Sequence, residues 1–139
     1  MADLQRFGVS MPAGLLAQFD AHLESEGYAN RSEALRDLIR DHLVGAEWAE
    51  SDVEVVGVIS LVYDHHALGL GSQLNEEQHE QHDVVLCSTH VHLDEHNCAE
   101  VIVAKGKGSQ VQKLADRLIA LRGVKHGRLV STTTGEHLE

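Results

Sequence analysis

A chain of 139 residues, 42% of them hydrophobic, is long enough for one ordinary domain or two small ones and can bury a core without staples. Its formal charge of −11 excludes a protein that coats nucleic acid by charge alone, so any DNA contact has to be local and specific. No stretch approaches the roughly twenty apolar residues of a membrane span. Met1-Ala2-Asp3-Leu4 opens no signal sequence and two cysteines are too few for a disulfide framework, so a cytoplasmic protein is expected.

Residues 6–11 alternate, with Phe7, Val9 and Met11 on one face and Arg6, Gly8 and Ser10 on the other, which predicts a short half-buried strand. Pro12 suits the first turn of a helix, and Leu15, Leu16, Phe19 and Leu23 recur at helical spacing until Gly27 caps it. Asn30 with Glu33 three residues on reads as the capping box of a second helix, whose apolar stripe of Ala34, Leu35, Leu38, Ile39 and Leu43 runs to Gly45. Residues 1–45 are therefore expected to form one strand-helix-helix domain. Alone, its single strand leaves both edges unpaired, so a second copy is expected to pair with it antiparallel.

A two-stranded ribbon fits the major groove of B-DNA, and Arg6, Gly8 and Ser10 would face the base edges. The segment resembles a ribbon-helix-helix DNA-binding domain, with the strand swapped between two subunits. By that resemblance Asn30 and Arg31 anchor the DNA backbone at the start of the second helix. Gly8 stands where a hydroxyl residue often reads bases, which leaves Arg6 and Ser10 as the base readers. This domain carries four Lys/Arg against seven Asp/Glu, so its non-specific affinity for DNA is expected to be low. A helical hairpin used only for dimerisation is the plainer reading.

Residues 46–52 carry three acids, break the periodicity and read as a linker or a frayed helix end, with Trp48 at a domain interface. From Val53 the pattern becomes β-branched. A strand over Val53–Tyr63 is followed by a helix through Leu74 to His82, strands over Val84–Leu93 and Cys98–Lys105, and a turn at Gly106-Lys107-Gly108. A helix over Ser109–Leu121 and a strand over His126–Thr133 complete the pattern, before a polar tail at 134–139. Residues 53–133 thus read βαββαβ, a ferredoxin-like domain with a four-stranded antiparallel sheet and two helices on one face, and the whole chain is α+β.

The sharpest chemical signal lies between His79 and Glu100, which hold five of the eleven histidines and both cysteines. In a strand, His90 and His92 face the same way, and Cys98 follows at hairpin distance. Two imidazoles and a thiolate make most of a metal site, for which zinc, copper and nickel all remain open on ligand type. A fourth ligand is needed. His79, on the preceding helix, could serve its own chain or a neighbour's.

The string His79, His90-Val91-His92, Cys98-Ala99-Glu100, together with Asn30-Arg31-Ser32-Glu33-Ala34-Leu35-Arg36-Asp37, Tyr63-Asp64-His65-His66 and Arg122-Gly123-Val124-Lys125-His126-Gly127, is similar to the NikR family of nickel-responsive transcriptional regulators across essentially the whole chain. The resemblance implies an ACT-type second domain, a homotetramer that is a dimer of dimers, and a double-stranded operator with two half-sites. It also implies one Ni(II) per subunit, held in a plane by His90, His92 and Cys98 of one subunit and His79 of another. Glu100 and Tyr63 are implied to support the ligands by hydrogen bonds. Glu33 and Asp37 are implied to contribute to a second, weaker cation site, although from spacing alone they read as an acidic face balanced by Arg36 and Arg40.

Ala67 and Leu68 stand where some relatives have basic residues that hold DNA, which puts that contact in doubt. His65, His66, His82 and His96 read as surface histidines with secondary metal sites as the alternative. An antitoxin with the same start would end in a toxin-binding segment rather than a βαββαβ domain. A zinc enzyme would need an open coordination position and a base, for which Glu100 is the one candidate.

Overall fold

The computed structural model describes residues 3–139, so Met1 and Ala2 of the expected N-terminal domain lie outside the described residues. The chain divides into two compact units, Met1–Leu43 with His137–Glu139, and Val44–Glu136.

In the first unit, helix α1 (Ala13–Glu26) starts at Pro12 and ends at Gly27, whose φ of 80° is the left-handed cap that a side chain would resist. Helix α2 (Arg31–Ala49) begins where Asn30 Oδ1 accepts the Glu33 backbone N–H at 2.9 Å, half of the expected capping box. The half-buried strand expected over residues 6–11 is absent from the single chain. Those residues belong to no sheet, and Phe7 and Val9 are 74% and 59% exposed. A strand exists only as part of a ladder, and its expected ladder partner is another chain. Leu38, Ile39 and Leu43 of the α2 stripe are exposed as well, so this unit shows unpartnered apolar surface on both its extended segment and its second helix.

Helix α2 does not stop at Gly45. It runs to Ala49 through much of the expected 46–52 linker, because Trp48 Nε1 donates to the Thr132 carbonyl at 2.8 Å and Thr133 Oγ1 donates to Glu47 at 2.8 Å. Tertiary anchoring overrides the weak helix propensity of the glycine. The expected polar tail also differs, since Arg40 Nε donates to the Glu139 carbonyl at 2.7 Å and draws the last three residues to the first unit.

The second unit contains β1 (Glu54–Asp64), α3 (Leu70–Glu80), β2 (Val85–His92), β3 (Asn97–Lys107), α4 (Gly108–Ile119) and β4 (Val124–Thr133). The sheet order β2-β3-β1-β4, with every neighbouring pair antiparallel, is the ferredoxin-like arrangement. The turn expected at Gly106-Lys107-Gly108 is instead the last of β3 running directly into α4. A Cβ on Gly108 would lie 2.7 Å from the Trp48 carbonyl, so this glycine serves a close approach and not a turn.

One face of the sheet carries Ile59, Leu61, Ile102 and Ala104, covered by Leu70 and Leu74 of α3 and by Val111, Leu114, Ala115 and Leu118 of α4. The registers place Val58, Val103, Val130 and Cys87 in one row of the opposite face, where Val101 and Val91 also stand. Val91, Val101 and Val130 are substantially exposed there, an apolar sheet face without a cover in the single chain.

Candidate metal centre and nucleic-acid face

The β2–β3 hairpin positions the candidate metal-ligating side chains by register. His92 pairs with Cys98 and His90 with Glu100, and Cys98 pairs in turn with Tyr63 on β1. Directly paired residues share a face, so His90, His92, Cys98, Glu100 and Tyr63 all lie on the helix-covered side. Cys87 faces the other way, which removes it from the site and from any bridge to Cys98. The hairpin loop is held by Asp94, whose Oδ1 accepts the backbone N–H groups of His96 and Asn97 at 2.8 Å. These hydrogen bonds, led by those from Asn97, lower its pKa to about 2.

Cys98 is buried and its Sγ lies 3.2 Å from His92 Nδ1, while the His90 and His92 rings stand 5.9 Å apart. Of the three donors expected on the hairpin, the structure brings His92 and Cys98 into direct contact and leaves His90 beside them, exposed at the sheet edge. It adds His65, which follows β1: ligand atoms of His65, His92 and Cys98 all lie within 4.8 Å of one another, the one such group among the described residues. His65 Nδ1 is buried with no hydrogen-bond partner. An orphaned imidazole nitrogen beside an imidazole and a thiol is the surface that a borderline-soft cation satisfies, so the donor set fits nickel, copper or zinc.

His79 lies outside that group. Near the C-terminus of α3 it is exposed, with its ring 6.3 Å from that of His82. The residue before it, Gln78, turns inward and its Nε2 donates to Glu100 Oε2 at 2.9 Å. Glu100 is 6% exposed, and burial raises its pKa against the opposing effects of Gln78, His90 and Ser88. Tyr63 is also buried; desolvation, with Glu100 and Cys98 nearby, raises its hydroxyl pKa. Its hydroxyl makes no hydrogen bond among the described residues, whereas Glu100 accepts from Gln78. His66 and His96 meet edge to face near the hairpin loop with ring centroids 5.6 Å apart, and His66 Nε2 lies 3.2 Å from the Glu95 carbonyl.

In the first unit, Arg6, Gly8 and Ser10 are all exposed, as a base-reading face requires. Arg31 is exposed too, but its guanidinium makes two hydrogen bonds to Asp20 of α1, at 2.8 and 2.9 Å, and holds that carboxyl below its usual range. The carboxylate of Asp37 accepts from the Tyr28 hydroxyl at 2.9 Å and pairs with Arg40 at 3.2 Å, the arrangement of a balanced acidic face.

Residues 56–132 match the family described as NikR C terminal nickel binding domain, and residues 5–44 match the ribbon-helix-helix proteins of the copG family. The chain belongs to the NikR family. It is 55% identical over 138 residues to a "Putative nickel-responsive regulator" of Geobacter sulfurreducens, covering 99% of each chain. A protein of the same name from Thermococcus onnurineus is 53% identical over 135 residues, 97% of this chain and 98% of that one. A solved structure of an uncharacterized protein from Thermotoga maritima, 18% identical with a TM-score of 0.50, covers 56% of this chain and 96% of its own, a likeness of fold alone.

NikR proteins are nickel-binding transcriptional regulators with a ribbon-helix-helix DNA-binding domain, and not enzymes. Among the described residues no helix is long and apolar enough to cross a membrane. Two residues beside the candidate centre, His65 and Gln78, are announced by no motif. His65 joins His92 and Cys98 only because the β1–β3 register sets Tyr63 against Cys98, which no local pattern announces. Gln78 had a signal: Leu70, Leu74 and Gln78 recur every four residues, so the inward stripe of α3 extends to it. Gln78→Ala leaves the buried Glu100 carboxylate without this donor, and a loss of about 1 kcal/mol is expected in a urea melt of the metal-free protein. An unchanged melt would show that Ser88 or solvent satisfies Glu100 equally well.

Proposed function

We propose that this NikR protein is a homotetrameric, nickel-dependent repressor, with one Ni(II) held per subunit by His90, His92 and Cys98 and by His79 from a neighbouring copy. The observation that carries this reading is the division of the ligands: Cys98 Sγ lies 3.2 Å from His92 on the hairpin, while His79 is exposed and outside that cluster. When bound, Ni(II) supplies a link between two copies and offsets some of the acidity. The exposed valines of the sheet and the exposed stripe of α2 offer the apolar surface that such assembly would cover.

Within each subunit, the Glu100–Gln78 hydrogen bond ties the ligand-bearing sheet to the helix that presents His79 outward. Paired first units would then present Arg6, Gly8 and Ser10 from two chains to one half-site, with Asn30 and Arg31 toward the phosphates; Arg31 would exchange one Asp20 contact for a phosphate. Two such pairs in a tetramer would span two half-sites. Glu33 and Asp37 would contribute to a second, weaker cation site, in which a cation takes over the charge balance that Arg40 supplies to Asp37. A regulator of this kind acts in the cytoplasm, where the DNA is.

A mobility shift tests the reading. Double-stranded DNA selected for binding in Ni(II) is compared side by side in chelator, Ni(II) and Zn(II). Retardation in Ni(II), its loss in chelator and a weaker effect of Zn(II) are expected. Equal binding in all three would remove nickel as the effector, and hydrolytic turnover with Zn(II) would favour an enzyme instead.

A further inference from the structure

β4 carries one residue more than its neighbour β1 at the hairpin end of the sheet. From Val55↔Thr133 to Val62↔His126 the register is even, but Tyr63 pairs with Val124, so Lys125 has no partner in the ladder. Such an extra residue bends its strand and re-aims its side chain. A plain surface lysine leaves its ammonium in water, since fixing a long side chain costs rotamer entropy. Here, instead, Lys125 Nζ donates to Asn97 Oδ1 at 2.7 Å, although β1 stands between their two strands in the sheet.

Asn97 immediately precedes Cys98 and closes the hairpin turn. Its side-chain amide donates to both carboxylate oxygens of Asp94, at 3.1 and 2.9 Å, and its carbonyl accepts the Leu93 backbone N–H at 2.8 Å. The same turn holds the segment after β1, because the His65 backbone N–H donates to the His96 carbonyl at 3.0 Å. Asp64, paired with Asn97 in the β1–β3 ladder, accepts the His66 backbone N–H at 2.9 Å. That hydrogen bond lowers the Asp64 pKa most, and the nearby Lys125 charge acts the same way. One ammonium thus stands where the turn carrying His65 meets the turn that leads into Cys98.

We propose that Lys125 is a positioning residue for the metal centre: through Asn97 it holds the Asp94–Asn97 turn in the shape that keeps Cys98 and His92 together before the ion arrives. This role rests on the reading of His92 and Cys98 as nickel ligands, and it adds a residue that gives no atom to the ion. A turn ordered in advance spares the ion the cost of ordering it, so loss of the tether lowers affinity without changing the bonds that form.

The test uses the full chain with Lys125→Met, which keeps the stem and removes the donor, Lys125→Arg, which restores a cationic donor, Asn97→Ala, and the double variant of Lys125→Met with Asn97→Ala. In the metal-free protein the His96 and Asn97 backbone amides donate to Asp94. They are expected to exchange with deuterium about fivefold faster in Lys125→Met, with the urea midpoint as in wild type. Ni(II) affinity is expected to fall about tenfold, while the charge-transfer band at saturating Ni(II) keeps its position. Lys125→Arg is expected to recover both readouts, and Lys125→Met to cost nothing further once Asn97 is alanine.

Unchanged exchange or unchanged nickel affinity in Lys125→Met would overturn the proposal. So would a shifted band, failure of the arginine to rescue, or an equal further loss in the Asn97→Ala background. A urea midpoint that fell with the affinity would also overturn it, making Lys125 a general stabiliser of the sheet. If Cys98→Ala leaves nickel absorption as in wild type, the ligand reading fails. The metal-free exchange of the variants then still decides whether Lys125 holds the turn.

Discussion

Cys98→Ala is expected to abolish the thiolate-to-metal charge-transfer absorption on adding Ni(II) and to lower nickel affinity by more than about a hundredfold, the upper end of what loss of a mere supporting contact costs. Cys98 is 1% exposed, its Sγ touches His92 Nδ1 at 3.2 Å, and it is the one cysteine on the ligand face. Removing one sulfur from the buried row leaves a small cavity worth about 1 kcal/mol, so a melting curve close to wild type should accompany the loss of metal. Cys98→Ser keeps the shape but offers a harder oxygen donor, and it should lose the band as well. An absorption band that survives in either variant would remove Cys98 from the ligands, and loss of the band in Cys87→Ala would contradict the opposite facing of the two cysteines.

Arg6→Ala should destroy operator recognition and leave nickel binding as it was. Arg6 is exposed on the extended segment that pairs with no strand of its own chain. A bidentate contact from arginine to guanine is worth about 1–3 kcal/mol of discrimination. Each pair of first units would present the residue twice, so the loss per half-site is expected to reach about a hundredfold or more, seen as disappearance of the nickel-dependent shift. Nickel absorption that fell together with DNA binding would show that the two units do not divide the labour as proposed.

The periodicities of the chain were enough to place α1 and the βαββαβ order to within a few residues, because amphipathic alternation at periods of 2 and 3.6 is a local property. The same local geometry put His90 and His92 on one face, and six residues of hairpin spacing put Cys98 beside His92. Membership of the NikR family was legible in the spacing from His79 to Glu100 joined to the ribbon-helix-helix start.

Other features were decided by contacts that no window of sequence contains. The strand expected over residues 6–11 does not form in one chain, since a strand needs a ladder partner and no other segment of this chain pairs with it. Gly45 and the linker after it read as a helix stop, yet α2 continues because Trp48 and Glu47 are anchored to the end of β4, a partner more than eighty residues away. His65 looked like a surface histidine until the antiparallel register of β1 on β3 brought the residues after Tyr63 to the Cys98 end of the hairpin. The sequence by itself determined which residues can ligate a metal and which faces of each element are apolar. Only the tertiary structure decided which candidate ligands meet within one chain and which, like His79, are left exposed, because convergence depends on strand register and helix packing, both non-local quantities.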